Sequence, residues 1–197
     1  MNTVALLHSD LPLSRRLADT IAAAPGLEVS GVADSLPALR ELLGRGMPDV
    51  LLVDLMLPAA HVNGVLHDLR HGGAQDAPKL LVLAVSADDP RVMDALCHGA
   101  DSYFAHAASA QSLPDSIDAL LRGESAITPD IARQVKAHFE DRGIGDTDRR
   151  LLQWIAEGFL VSEVARALQW SAHSVGVRVR ELYRQLQADV WSAPMPA

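Results

Sequence analysis

The sequence holds a single cysteine, Cys97, in 197 residues. That excludes an intrachain disulfide and a cysteine-based zinc cage, fits a reducing compartment, and leaves Cys97 itself as a small buried hydrophobe. No apolar run reaches the roughly 18 residues that a membrane-spanning helix needs. The opening Met1-Asn2-Thr3-Val4 has no basic flank, and Asp10 interrupts its apolar stretch, so a cytoplasmic protein with no membrane partner is expected. Glycine (13) and proline (11) are not enriched, and 49% of residues are hydrophobic against 21% charged. Collagen and intrinsic disorder are therefore excluded, and the length allows one large domain or two small ones, each with its own core.

Cations are also scarce, and unevenly so. The net charge is −8, but residues 1–123 hold 8 Lys and Arg against 15 Asp and Glu, whereas residues 146–197 hold 6 against 6. The last segment contains no lysine; arginine is its only permanent cation. An acidic first part and a neutral, arginine-bearing second part imply two units with different tasks.

What the first part does contain is alternation. Apolar runs Val4–Leu7, Leu27–Gly31, Val50–Val53, Leu80–Val85 and Tyr103–Ala105 read as strands. Helical patterns follow each of them: Pro12–Ala24, Leu36–Leu43, Val65–Arg70, Pro90–His98 and Ser112–Arg122, each bounded by proline or glycine. Short connections between such units predict an α/β, doubly wound five-stranded parallel sheet, with ligands bound beyond the carboxyl ends of the strands. Those ends carry His8-Ser9-Asp10, Asp54, Ala84-Val85-Ser86 and Ala105-His106. Carboxylates at two adjacent strand tips suit a magnesium ion and an Asp54 nucleophile toward a phosphoryl donor; the plainer reading is turn and cap residues. His67 and His71, four residues apart without a further ligand in sequence, read as a solvated helix face.

The segment Val50-Leu51-Leu52-Val53-Asp54-Leu55-Met56-Leu57-Pro58 resembles the phosphoacceptor segment of receiver domains of two-component response regulators. Ala95–Tyr103 resembles their fourth helix and fifth strand, and Arg122–Pro129 the exit segment of members with a LuxR-type DNA-binding domain. The resemblance implies Asp54 as phosphoacceptor, a Mg2+ ion held by Asp10, Asp54 and the Met56 backbone carbonyl, and Tyr103 as the aromatic switch. The sequence also departs from the pattern. One of two acidic residues after the first strand is Ser9, the usual Ser/Thr phosphate contact is Ala84, and the usual Lys is His106. Loss of a donor to a charged oxygen costs roughly 1.5–3 kcal/mol, and His106 is not a permanent cation. Ser86 would restore the hydroxyl if the fourth strand stays extended through it. Weak magnesium binding and slow or absent phosphorylation of Asp54 are expected.

In the second part, residues 128–141 read as a helix capped by Thr128, and Gly143 and Gly145 end it. Asp146–Glu157, a helix opened or capped by Ser162, a turn at Gln169-Trp170 and a long helix Ala172–Leu186 follow. The last helix has an apolar stripe, Val175, Val179, Leu182 and Leu186, and the pattern is helix-turn-helix. His173, Ser174, Val177, Arg178, Arg180 and Arg184 lie outside that stripe and are the candidate DNA contacts. The whole segment resembles LuxR-type domains, with Gly176 and Val177 where the family is commonly polar. Only Gln187–Ala197 follow, with Pro194 and Pro196, which is short for the fourth helix through which such domains dimerise. A homodimer through the fourth and fifth receiver helices is expected instead.

The domains expected are a receiver (1–123), a linker with a helix (124–145), a helix-turn-helix (146–190) and a tail (191–197). The function expected is a DNA-binding transcription regulator, not an enzyme, with a sensor kinase as a further partner if Asp54 is used. The alternatives are a protein-interaction adaptor with a decayed DNA-binding surface, a conventional phosphorylation-activated regulator, and a phosphotransfer enzyme using Asp54.

Overall fold

The computed structural model describes residues 1–71, 77–105 and 112–192. The chain divides into two compact units, Met1–Arg122 and Gly123–Ala197. In the first, strands β1 (Asn2–Leu7), β2 (Leu27–Ala33), β3 (Val50–Asp54), β4 (Lys79–Ala84) and β5 (Ser102–Ala105) form a parallel sheet in the order β2-β1-β3-β4-β5. Helices α1 (Leu11–Ala22), α2 (Leu36–Arg45), α3 (Ala59–His71), α4 (Pro90–Cys97) and α5 (Leu113–Leu121) follow the strands in turn. This is the doubly wound sheet expected. β1 pairs with β2 on one side and β3 on the other. The carboxyl ends of β1 and β3 therefore open side by side at the switch point of the sheet.

Strand alternation sends Val4, Leu6, Val50, Leu52, Leu81, Leu83 and Phe104 to one face, where they pack with Leu17 and Ile21 of α1 and Leu113, Ile117 and Leu120 of α5. Each fully buried Leu or Ile contributes roughly 1.5–3 kcal/mol, so this layer is what holds the strand tips in register. β3 is buried at every position, as a central strand covered on both faces must be. Helix ends are closed by side chains: Asp10 Oδ1 accepts the Leu13 N–H at 2.9 Å, and Ser112 and Asp115 form a capping box on α5. Lys79 Nζ donates to the last carbonyls of α5, Leu120 O at 3.0 Å and Leu121 O at 2.8 Å.

Several boundaries differ from those expected. The residues after Pro58 read as a loop, yet α3 begins at Ala59: the His61 and Val62 N–H groups bond back to Pro58 O at 2.8 and 3.2 Å, and Val62 and Leu66 are buried a turn apart. α2 passes through Gly44 to Arg45, β2 continues past Gly31 to Ala33, and β4 stops at Ala84, one residue before Val85. Cys97 is half-buried, and burial first, then the Asp94 charge, pushes its thiol up to about 11, so it stays protonated and unreactive at neutral pH.

The second unit contains α6 (Pro129–Phe139), α7 (Asp146–Ala156), α8 (Val161–Leu168) and α9 (Ala172–Ser192), with α6 packed on α7 and α9. Its core takes Ile131, Val135 and Phe139 of α6, Leu151, Leu152 and Ile155 of α7, Val164 of α8, and the Val175, Val179, Leu182 and Leu186 stripe of α9. α8 starts at Val161, so Ser162 lies inside it; the cap position is Leu160, whose N–H donates to the Glu163 carboxylate at 2.8 Å. α8 ends on Gln169, a non-glycine residue in the left-handed region (φ 59°), and the Trp170 N–H bonds back to Ala165 O at 2.8 Å. α9 runs on past Leu186 to Ser192 as one helix. No helix among the described residues is long and apolar enough to cross a membrane.

Candidate functional site

At the carboxyl edge of the sheet, Asp54 ends β3 with only 3% of its surface exposed. Its Oδ1 accepts the Met56 N–H at 2.8 Å. Its Oδ2 is buried with no hydrogen-bond partner among the described residues. The buried His8 imidazole lies 3.5 Å from that oxygen through Nδ1, but Nδ1 also accepts the Asp10 N–H at 3.0 Å. A nitrogen that accepts carries no proton, so the approach of His8 to Asp54 is not an ion pair. Asp10 is exposed, and its Oδ1 is taken by the cap of α1.

The other expected positions are placed as follows. Ala84 is buried beside β5, where it pairs with Ala105, and offers no hydroxyl. Ser86 does not replace it: β4 ends at Ala84, so strand alternation does not carry on to Ser86, and the Ser86 hydroxyl accepts the Asp88 N–H at 3.3 Å. Tyr103 is buried in β5 opposite Val82. His106 lies outside the described residues.

Sequence reasoning missed Arg91, in the first turn of α4. Its Nη1 donates to Leu55 O at 2.5 Å, and its Nη2 approaches Met56 Sδ at 3.7 Å, so its guanidinium stands on the segment that leaves Asp54. Asp89, the N-cap of α4, holds the guanidinium through Nε at 3.0 Å and Nη2 at 2.6 Å, and Arg91 in turn holds the Asp89 carboxyl below its ordinary value. The motif Asp89-Pro90-Arg91 carries the signal only in retrospect, as a helix start with a cation facing the strand tips. Magnesium needs near-octahedral oxygen ligation. Of the implied set, Asp54 supplies a buried oxygen, Asp10 is engaged at α1, and the guanidinium is anchored at Leu55 and Met56. No group of three or more His, Cys, Asp or Glu among the described residues is arranged to hold a metal. Two carboxylates of the implied set remain, Asp54 and Asp10, with Asp10 drawn to the cap of α1, so the set for the ion is sparse.

In the second unit, α9 buries two adjacent stripes. Besides the apolar one, Gly176, Arg180, Tyr183 and Gln187 are buried at spacings of four and three. Arg180 is only 5% exposed, which corrects its assignment to the outward face: counting one stripe of four residues underestimated the width of helix that is covered. The chain leading into α6 lies along the second stripe. The Ser125 N–H donates to Gly176 O at 3.1 Å, the Tyr183 hydroxyl donates to Ala126 O at 2.7 Å, and Glu124 Oε1 meets His173 Nδ1 at 3.0 Å. A Cβ on Gly176 would stand 2.9 Å from Glu124 Cβ. Glycine at this helical position, which costs about 1 kcal/mol relative to Ala, is thus the condition for the close approach of Glu124.

Arg178 is also more engaged than expected. Its Nε and Nη2 each donate to an oxygen of the Asp148 carboxylate at 2.6 Å, and its Nη1 donates to Glu181 at 2.5 Å. Asp148 first, then Glu181, hold the guanidinium above its ordinary pKa against the opposing effect of burial. His173, Ser174, Val177 and Arg178 line a shallow groove with Trp170 and Glu181 on the outer side of α9. His173, Ser174 and Arg184 are exposed, and Val177 is half-buried.

A parallel sheet of this strand order ending in a buried aspartate is followed in the same chain by a helix-turn-helix, and the chain is a homologue of response regulators that share this arrangement. The nitrate/nitrite response regulator protein NarL of Escherichia coli (strain K12) is 27% identical over 202 residues, 94% of this chain and 93% of its own. The glycerol metabolism activator of Pseudomonas putida is 31% identical over 136 residues, 67% of this chain and 60% of its own. RcsB from Salmonella enterica serovar Typhimurium, solved bound to promoter P1flhDC in the presence of phosphomimetic BeF3-, shares the fold with a TM-score of 0.56 at 18% identity, covering 97% of this chain and 98% of that one. No protein-family model matches the chain.

Proposed function

We propose that this chain is a cytoplasmic, DNA-binding transcription regulator whose receiver unit acts with little or no phosphorylation of Asp54. The observation that carries the reading is the α8–turn–α9 pair, whose second helix buries its apolar stripe and leaves His173, Ser174 and Arg184 exposed. Such a helix is dimensioned for the major groove, with Arg184 for phosphates or guanine and Val177 for thymine methyls. On the receiver side, Ala84 offers no hydroxyl, Ser86 is engaged in its own turn, and the metal set is incomplete, which together favour slow phosphoryl transfer. The partners that follow are DNA and a second copy of the chain through the fourth and fifth receiver helices. A sensor kinase is a partner only if Asp54 is used.

A phosphate-retarding gel after incubation with acetyl phosphate and magnesium is expected to show no shifted species, with an Asp54→Ala control running identically. Stoichiometric modification at Asp54 would establish the conventional, phosphorylation-activated regulator instead.

The adaptor reading is favoured by a separate observation: Arg178 is tied to Asp148 and Glu181, His173 to Glu124, and Arg180 is buried, so of the three candidate arginines only Arg184 is exposed. A salt titration separates the two. Binding of the full chain to double-stranded DNA is expected to weaken about tenfold or more between 50 and 200 mM salt through counterion release. Absence of binding at the lowest salt supports the adaptor.

A further inference from the structure

We propose that Arg91 is the resident cation of the Asp54 site and that it keeps divalent metal out. Asp54 Oδ2 is buried without a hydrogen-bond partner among the described residues, and a buried carboxylate requires a counter-charge. Arg91 brings one to the segment that leaves Asp54, with Nη1 on Leu55 O and Nη2 against Met56 Sδ. Its position is set from two sides. The α4 cap grips one edge of the guanidinium through Asp89, and the exit of β3 takes the other through Leu55. A planar fork held at both edges is fixed against the exit of β3, and the charge it carries is what an arriving ion meets. A guanidinium is not deprotonated in proteins, so the cation is permanent.

A divalent ion drawn toward Asp54, Asp10 and the Met56 carbonyl would meet that positive charge at close range, in a site with too few oxygen ligands to offset the repulsion. The latch has a second consequence: it ties the segment after β3 to the start of α4 whether or not Asp54 is modified. The proposal rests on the reading of a poorly phosphorylated receiver and deepens it by naming the residue responsible.

The test is a Mn2+ titration of the full chain, with free ion read from its paramagnetic resonance signal. Wild-type protein is expected to leave Mn2+ free at millimolar concentration, and Arg91→Gln to bind it about tenfold tighter or more, since one positive charge is removed from the site. Adding Asp54→Asn to Arg91→Gln is expected to abolish the gain, and Arg91→Lys, which keeps the charge, to behave as wild type. Equal affinities for wild type and Arg91→Gln, or binding by Arg91→Lys as tight as by Arg91→Gln, overturn the proposal. So does saturation of the wild type below millimolar Mn2+, which needs no variant to fold. Acetyl phosphate labelling of Asp54 in metal-free wild type would sink the functional reading and leave Arg91 in its role; Mn2+ binding without labelling would do the reverse.

Discussion

Arg178→Ala is expected to destabilise the second unit by about 3 kcal/mol, because it leaves the Asp148 carboxylate buried without its counter-charge. Asp148 is 5% exposed and receives the Nε–Nη2 edge of the guanidinium through two hydrogen bonds of 2.6 Å. Its place in the first turn of α7 recovers part of the loss, since a helix N-terminus favours a negative charge. In a unit of this size the change corresponds to a fall in melting temperature of roughly 10 °C or more. Glu181→Ala should cost less than about 1 kcal/mol, because Glu181 is half-exposed and its pairing with Arg178 is screened by water. Asp148→Ala separates stability from binding: it also lowers the melting temperature, but it releases Arg178 toward phosphate and should steepen the salt dependence of DNA affinity. A melting curve for Arg178→Ala within about 2 °C of wild type would mean that Asp148 is solvated and that the pair carries little of the fold.

The second large effect is expected in the receiver unit. Asp101→Ala should cost about 3–5 kcal/mol, seen as a lower midpoint in denaturant unfolding of the full chain. Asp101 is buried just before β5; its Oδ2 accepts the Leu80 N–H at 2.7 Å and binds the Arg70 guanidinium, while the Asp101 N–H donates to Leu80 O at 2.8 Å. Arg70 in turn donates to Gly99 O at 2.9 Å. One carboxylate thus staples the entrance of β5 to β4 and to the end of α3. Asp101→Asn keeps the acceptor for Leu80 and loses only the charge partner, so it should cost less. Because β5 carries Tyr103, amide exchange in β5 is expected to rise most in Asp101→Ala. Uniform exchange across the sheet would show that the staple is not local.

Much of this was legible along the chain. The run Val50–Val53 ending in Asp54 marks a strand covered on both faces with a carboxylate at its tip, and that pattern depends only on spacing and residue type. The proline and glycine punctuation placed most helices to within a few residues, the start of α3 and the end of α9 excepted, and the Val175, Val179, Leu182 and Leu186 stripe identified the face of α9 that enters the core. The loop reading of Ala59–Gly64 failed because weak apolar periodicity hid a helix that Pro58 O nucleates and Val62 anchors. Arg180 was misplaced because helical spacing describes which residues share a face, not how wide a face its neighbours cover.

The sequence by itself determined the class of fold, the order of the two units, the strand that carries Asp54 and the absence of a hydroxyl at Ala84. These are one-dimensional properties: burial alternates with period two in strands and about 3.6 in helices, and an alanine has no donor in any fold. Tertiary structure alone decided the electrostatics of both sites. Arg91 reaches Leu55 across 36 positions, Arg178 reaches Asp148 across 30, and Glu124 meets His173 across 49. No local pattern encodes such pairings, because a charge finds its partner only after the apolar layers have packed and set which surfaces face each other.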